Sequence, residues 1–320
     1  MNNFKLLGRA GEGAHGFVYK ALDLRTNKIV AIKKIGINPD TGIPKNTMRE
    51  ICALKALKSE HIVKLFEVTA MGCAVVLVME FLPCNLGDLL KSDLKLELTQ
   101  IKSYMKMMLS GIDYMHSHKI MHRDIKPYNL LISDQGALKI ADFGLARIYI
   151  KGPKRQYSHQ VATRWYRSPE LLYGSRTYTP SVDMWSVGCI LGEMINKQPI
   201  FPGETDIEQL AIVLGTLGTP NEEIWPGLNN LPDYNKISFS TSEGKSWTSV
   251  IPDADEVTLD LIINLLVYDG NKRLTASEAL DHTFFKKDPP PCALDKMPQA
   301  KDIKDSQVWN FDGFDDINIK

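Results

Sequence analysis

Lys33, Glu50, Asp124, Asn129 and Asp142 stand out for the chemistry their side chains offer. Asp124 and Asn129 belong to His122-Arg123-Asp124-Ile125-Lys126-Pro127-Tyr128-Asn129, the pattern H-R-D-x-K-x-x-N. Asp142 opens the triplet Asp142-Phe143-Gly144. Lys33 closes the run Val30-Ala31-Ile32-Lys33, where an ammonium can neutralise the phosphates of a nucleotide. A flexible Lys needs an anchor. Glu50 shares a helical face with Leu54 (i+4) and Leu57 (i+7), which places its carboxylate inward, where Lys33 can pair with it. Taken alone, a solvated Lys and a solvated Glu are the plainer reading of these two.

Upstream, Gly11-Glu12-Gly13-Ala14-His15-Gly16 reads G-x-G-x-x-G. Chance supplies such a triplet in roughly one chain in ten of this length. Its use is physical: without Cβ atoms the backbone can approach a polyphosphate and offer it N–H groups. In a dinucleotide-binding fold the motif opens a helix. Here Phe17-Val18-Tyr19 follows, a strand-forming run, so the loop joins two antiparallel strands. A Walker A motif, G-x-x-x-x-G-K-[ST], is absent.

The elements that must position these residues fall into two textures. Phe4–Ala10, Phe17–Ala21 and Ile29–Ile35 read as a strand meander. Pro44 opens a helix through Leu57, with Met48, Ile51, Leu54 and Leu57 at helical spacing, and strands follow near Ile62–Val68 and Val75–Phe81. Beyond Pro83 the pattern turns helical. Ile101, Tyr104, Met105, Met108, Ile112 and Met115 mark a buried stripe, its methionines core rather than a sulfur site. A short hairpin, Leu130–Ile132 and Leu138–Ile140, stands between the two motifs. The reading is α+β: a strand-rich small lobe with one main helix, a mainly helical large lobe, and a cleft between. From Lys286, Pro289-Pro290-Pro291 and a polar composition predict a flexible tail over 286–320.

Composition agrees with a globular chain. The 320 residues are 44% hydrophobic and 24% charged, and 38 basic residues balance 38 acidic ones. A neutral balance implies no global attraction to nucleic acid or to a membrane. The longest apolar run, Cys73–Met79, is far below the roughly 20 residues that span a bilayer. Cys52, Cys73, Cys84, Cys189 and Cys292 form no C-x-x-C pair, which favours a reducing interior over a disulfide framework.

Taken together, the glycine loop, Val-Ala-Ile-Lys, the helical Glu, H-R-D-x-K-x-x-N, a hairpin and D-F-G match protein kinases in order and spacing. The chain resembles a eukaryotic protein kinase over 4–285, with an N-lobe at 4–79, a hinge at 80–82 and a C-lobe at 83–285. Lys126, two positions after Asp124, resembles the serine/threonine class. The resemblance implies ATP and Mg2+ as cofactors, held by Ala10, Gly11, Glu12, Gly13, Ala14, His15, Gly16, Phe17, Val18, Lys33 and the hinge groups of Glu80 and Leu82. Asn129 and Asp142 would supply hard oxygen ligands to Mg2+. Asp124 would accept the substrate hydroxyl proton, Lys126 would stabilise the transferring phosphate, and Glu50 would anchor Lys33. His122 reads as a packing residue, Asp183 as a support for the catalytic loop, and Glu170 with Arg273 as a buried ion pair. A catalytically inactive scaffold and a dinucleotide oxidoreductase are the rival readings. The intact Lys33, Asp124, Asn129 and Asp142 oppose the first and the strand after Gly16 opposes the second.

Arg164-Trp165-Tyr166-Arg167-Ser168-Pro169-Glu170 and Gln156–Thr163 are similar to the cyclin-dependent kinase family, with Ser168 in place of Ala. Several stretches resemble its cell cycle-related branch, near the CDK-activating kinase. That resemblance implies protein substrates, either proline-directed sites or activation segments of other kinases. It also implies a cyclin or cyclin-like activator on the Pro44–Glu50 helix, and an intracellular place in cytoplasm, nucleus or cilium. Arg49, Arg123 and Arg147 match a phosphate-binding trio, so Ser158 is expected to be phosphorylated by an upstream kinase. Ala14 and His15 stand where related kinases carry an inhibitory Thr-Tyr pair, which predicts insensitivity to that brake. Cys84, just past the hinge, reads as inert. Trp309, Phe311 and Phe314 among acidic residues read as part of the flexible tail.

Overall fold

The computed structural model describes residues 3–13, 16–150, 152 and 155–303. β-branched residues, concentrated in β3 and β5, favour the extended backbone of the first lobe. β1 (Phe4–Gly13), β2 (Gly16–Asp23) and β3 (Lys28–Gly36) precede α1 (Lys45–Ala56), then β4 (Leu65–Met71) and β5 (Ala74–Glu80). They form one antiparallel sheet in the order β1-β2-β3-β5-β4. β1 runs into the glycine motif as far as Gly13, which pairs with Gly16 of β2.

Pro44 stands at the N-cap of α1, where its missing N–H costs nothing. Ile51 and Leu54 of α1 are buried, and Leu57, in extended conformation, ends the helix. Met48, the first residue of the expected apolar stripe, is instead exposed. β4 begins at Leu65, later than periodicity suggests. Ile62 makes a parallel bridge to Ile140, and the Val63 N–H donates to the Ile140 carbonyl at 3.0 Å.

The second lobe contains β6 (Cys84–Asn85), α2 (Leu86–Lys91), α3 (Leu98–Ser117), β7 (Ile120–Met121), β8 (Leu130–Ile132), β9 (Leu138–Ile140) and β10 (Arg147–Ile148). It continues with α4 (Pro169–Leu172), α5 (Ser181–Asn196), α6 (Asp206–Leu217), α7 (Trp247–Val250), α8 (Glu256–Leu265), α9 (Ala276–Leu280) and α10 (Thr283–Lys286). β8 and β9 form the expected hairpin, extended by β6. The methionine stripe of α3 is core, as its spacing predicts: Met105, Met108 and Met115 are fully buried. α5 is buried around nearly its whole circumference, with Trp185 stacked on Phe201. The architecture is therefore the two-lobed α+β plan. Among the described residues no helix is long and apolar enough to cross a membrane.

Part of the segment expected to be a flexible tail packs on the second lobe. Residues 287–303 lie along α3. The buried Lys102 donates to the carbonyls of Lys287 and Pro289 at 2.7 Å each, and Ser103 donates to the Cys292 carbonyl. Met297 and Ile303 are buried. Composition alone hides this, because α3 supplies the donors that satisfy a proline-rich backbone. Trp309, Phe311 and Phe314 lie outside the described residues.

Candidate active site

Lys33 stands in β3 opposite Leu77 of β5, with its side chain turned to α1. Its ammonium meets both Glu50 oxygens, at 2.9 and 2.7 Å. Their side chains are 12% and 5% exposed, so water screens the pair little. The inward face predicted for Glu50 is therefore real, and α1 carries the carboxylate to the strand.

Asp124, Lys126 and Asn129 converge in the segment between β7 and β8. Asn129 spends its amide hydrogens on Asp124, reaching the carbonyl at 2.8 Å and Oδ2 at 3.1 Å. Lys126 Nζ lies 3.0 Å from Asp124 Oδ2. Thr163 supplies the remaining partners: its N–H and hydroxyl donate to Asp124 Oδ1 at 2.8 and 3.0 Å, and its hydroxyl accepts from Lys126 at 2.8 Å. The carboxylate is thus fixed in orientation by hydrogen bonds from both sides.

The loop backbone is held from below. Asp183 Oδ2 accepts the His122 N–H at 2.9 Å and Oδ1 accepts the Arg123 N–H at 2.7 Å. Arg123 has a positive φ of 68°, a strained conformation that these two bonds stabilise. Burial works to raise the Asp183 carboxyl, but the hydrogen bond and charge of His116, 2.9 Å away, hold it below the usual value. His122 packs edge-on against the buried Phe143, and its ring nitrogen bonds to the Ala141 carbonyl. That is the packing role expected of it.

Asp142 adopts a left-handed φ of 59°, with Oδ1 accepting the Gly144 N–H at 3.3 Å. Its residue is exposed, whereas Phe143 beside it is fully buried. The donor set suits Mg2+ bound to a nucleotide. Asp142 offers a carboxylate, and Asn129, its hydrogens committed, has only an oxygen left to give. Among the described residues no group of three or more His, Cys, Asp or Glu could hold a metal by itself. Two protein ligands completed by phosphates and water are the usual Mg2+ arrangement. A Cβ built on Gly11 would meet nothing within 4 Å, so open space adjoins the backbone there. Ala14 and His15 lie outside the described residues.

Ser158 is exposed, and its carbonyl accepts from the Tyr178 hydroxyl at 2.5 Å. Tyr178 in turn accepts from Arg123 Nη1 at 2.8 Å. Burial, then the charges of Arg147 and Arg123, holds the Arg49 guanidinium below its ordinary pKa. The three arginines therefore share one neighbourhood, joined to the Ser158 backbone through Tyr178. Glu170 and Arg273 pair bidentately at 2.9 and 3.0 Å, as expected. Burial, with the Asp88 and Asp134 charges, raises the Cys84 thiol to about 11, so it stays protonated at neutral pH.

The contacts of Thr163, Tyr178 and His116 are ones that motif reading does not assign. Thr163 is 39 residues from Asp124, and Tyr178 is 55 from Arg123. No local spacing links such pairs. The one sequence signal is that Thr163 closes the Gln156–Thr163 stretch and adjoins the Arg164–Glu170 motif.

With this geometry in place, comparison with known proteins is decisive. The protein kinase domain family matches residues 4–285. The chain is a protein kinase. Within the kinases it falls in the cyclin-dependent group of serine/threonine enzymes. It is 48% identical to "Cyclin-dependent kinase 20" of Danio rerio over 301 residues, 93% of this chain and 88% of that protein. It is 47% identical to the Homo sapiens protein of the same name, over 93% of this chain and 87% of the other. A chain in the structure of the CAK complex from Chaetomium thermophilum, bound to ATP-gamma-S, superposes with a TM-score of 0.86 at 34% identity. The match covers 93% of this kinase and 95% of that chain.

Proposed function

We propose that this kinase transfers the γ-phosphoryl group of Mg2+-ATP to Ser or Thr followed by proline. Asp124 takes the substrate hydroxyl proton and Lys126 balances charge on the moving phosphoryl group. Lys33, anchored by Glu50, holds the nucleotide phosphates. Asn129 and Asp142 hold Mg2+, which supplies charge neutralisation when bound. The side chains do not react covalently. Orientation and charge are their contribution.

One observation carries the proline preference. Ala162, adjacent to the Thr163 that contacts Asp124, has a φ of 64°. Its carbonyl accepts from Arg167 Nη2 at 2.9 Å. Arg167 is further fixed to the Val161 carbonyl and to Asp206. With that carbonyl committed to the Arg167 guanidinium, the N–H of a residue following the phosphoacceptor would have to compete for it, and leaving that N–H buried and unpaired would cost about 1–3 kcal/mol. Proline has no N–H to satisfy. A peptide array tests this: Ser-Pro peptides should turn over at least about 10-fold faster than Ser-Ala peptides. Equal turnover would sink the reading.

Regulation follows from two surfaces. The Pro44–Glu50 segment presents the exposed Met48, and it would receive a cyclin or cyclin-like activator. The name of the cyclin-dependent relatives and the CAK neighbour support that partner. An upstream kinase would phosphorylate Ser158, and the three arginines would bind the phosphate. Intracellular substrates, including activation segments of other kinases, and a cell-cycle or ciliary setting belong to the same proposal.

A further inference from the structure

Glu80 closes β5 and begins the hinge. Its carboxylate receives the Lys139 ammonium on both oxygens, at 3.0 and 2.8 Å. Oε1 also accepts the Lys64 N–H at 2.6 Å, while the Glu80 N–H donates to the Lys64 carbonyl at 3.0 Å. The two side chains are 19% and 21% exposed, deep enough that solvent screens the pair only in part.

Lys139 is the middle residue of β9, three positions before Asp142. Its neighbours Leu138 and Ile140 are fully buried, so alternation turns Lys139 to the opposite face. β9 is already tied by its backbone to the segment entering β4, through the Val63–Ile140 and Ile140–His61 hydrogen bonds. The ion pair adds the tie to the hinge. It joins the residue where the hinge starts to the strand that delivers Asp142.

We propose that Lys139 is a positioning residue for the nucleotide. Through Glu80 it sets the separation between the hinge, which meets the base, and Asp142, which handles the phosphates. A ligand gripped at both ends binds well only when that separation matches its length. This rests on the reading of the cleft as the Mg2+-ATP site.

The test measures binding of a non-hydrolysable ATP analogue with Mg2+ by calorimetry, using the full chain. Lys139→Met should weaken binding about 3- to 10-fold, while Lys139→Arg, which keeps the paired charge, should stay within about 2-fold of wild type. Glu80→Gln combined with Lys139→Met should bind no more weakly than Lys139→Met alone, because both remove one interaction. In the kinase assay the KM for ATP should rise while the KM for peptide and the melting temperature hold. Wild-type affinity in Lys139→Met would overturn the proposal. So would equal losses in Lys139→Arg, or a lowered melting temperature with unchanged KM. Absence of saturable binding by the wild type would overturn the ATP-site reading itself, a result distinct from wild-type binding matched by Lys139→Met.

Discussion

Lys33 and Lys126 in the cleft each face a carboxylate, whereas Arg49, Arg123 and Arg147 crowd one another. The contrast is one of preorganisation. In the cleft, Glu50 and Asp124 neutralise the lysines and hold them at fixed positions before any substrate arrives. At the arginines, burial and mutual repulsion depress Arg49, and Arg123 is satisfied by neutral oxygens of Leu145 and Tyr178. The first arrangement suits a site that must be ready for each turnover. The second suits a site whose energy changes sharply when one dianion appears.

The sharpest way to break the comparison is Asp124→Asn. It keeps shape and most hydrogen bonding but removes the base, so kcat should fall about 10²- to 10⁴-fold with the melting temperature nearly unchanged. Retained kcat would show that the paired cleft is not where chemistry occurs. Next comes the buried ion pair of Glu170 and Arg273. Arg273 is fully buried and Glu170 nearly so. Arg273→Ala should cost about 3–5 kcal/mol of stability in denaturant titration, because the carboxylate loses its counter-charge. A loss under about 1 kcal/mol would mean the site rehydrates easily.

Ser158→Ala measures the arginine cluster. Enzyme isolated with its upstream kinase should lose about 10- to 100-fold in activity on this change, the worth of one or two charge-assisted hydrogen bonds. Phosphatase treatment should bring wild type to the same level. Equal activity before and after treatment would leave the crowded arginines without a regulatory use.

The smallest expected effect is a pH slope. Glu193 is raised above its ordinary pKa by burial, although its hydrogen bond from Tyr166, at 2.7 Å, works the other way. A carboxyl raised in the folded state binds its proton more tightly there than in the unfolded chain. Its stabilisation is complete below the unfolded value near 4.5 and is lost as pH rises through the folded one. Melting curves between about pH 4 and 8 should show that decline in wild type and not in Glu193→Gln. Parallel curves would place the titration elsewhere.

Much of the cleft was legible before any coordinates. Lys33 and Glu50 fall at strand and helix spacings that point inward, and the loop around Asp124 sits beside a hairpin of evident period. The wiring between segments was not. Thr163 completes the shell of Asp124 from 39 residues away, and Lys139 reaches Glu80 across 59. Such partners are chosen by where strands and helices come to rest, and periodicity carries no record of that. The 287–303 strap was hidden for the same reason, since its carbonyls are satisfied by Lys102 and Ser103 on α3, far away in the chain.

The sequence by itself determined the lobes, the cleft and the residue types able to manage phosphate. Those features depend on local alternation, helical spacing and short motifs, all contained within a few neighbouring residues. Only the tertiary structure decided which cations are matched by carboxylates, which crowd together, and which side chains orient Asp124. Electrostatic pairing depends on distance in space, and chain distance does not set it.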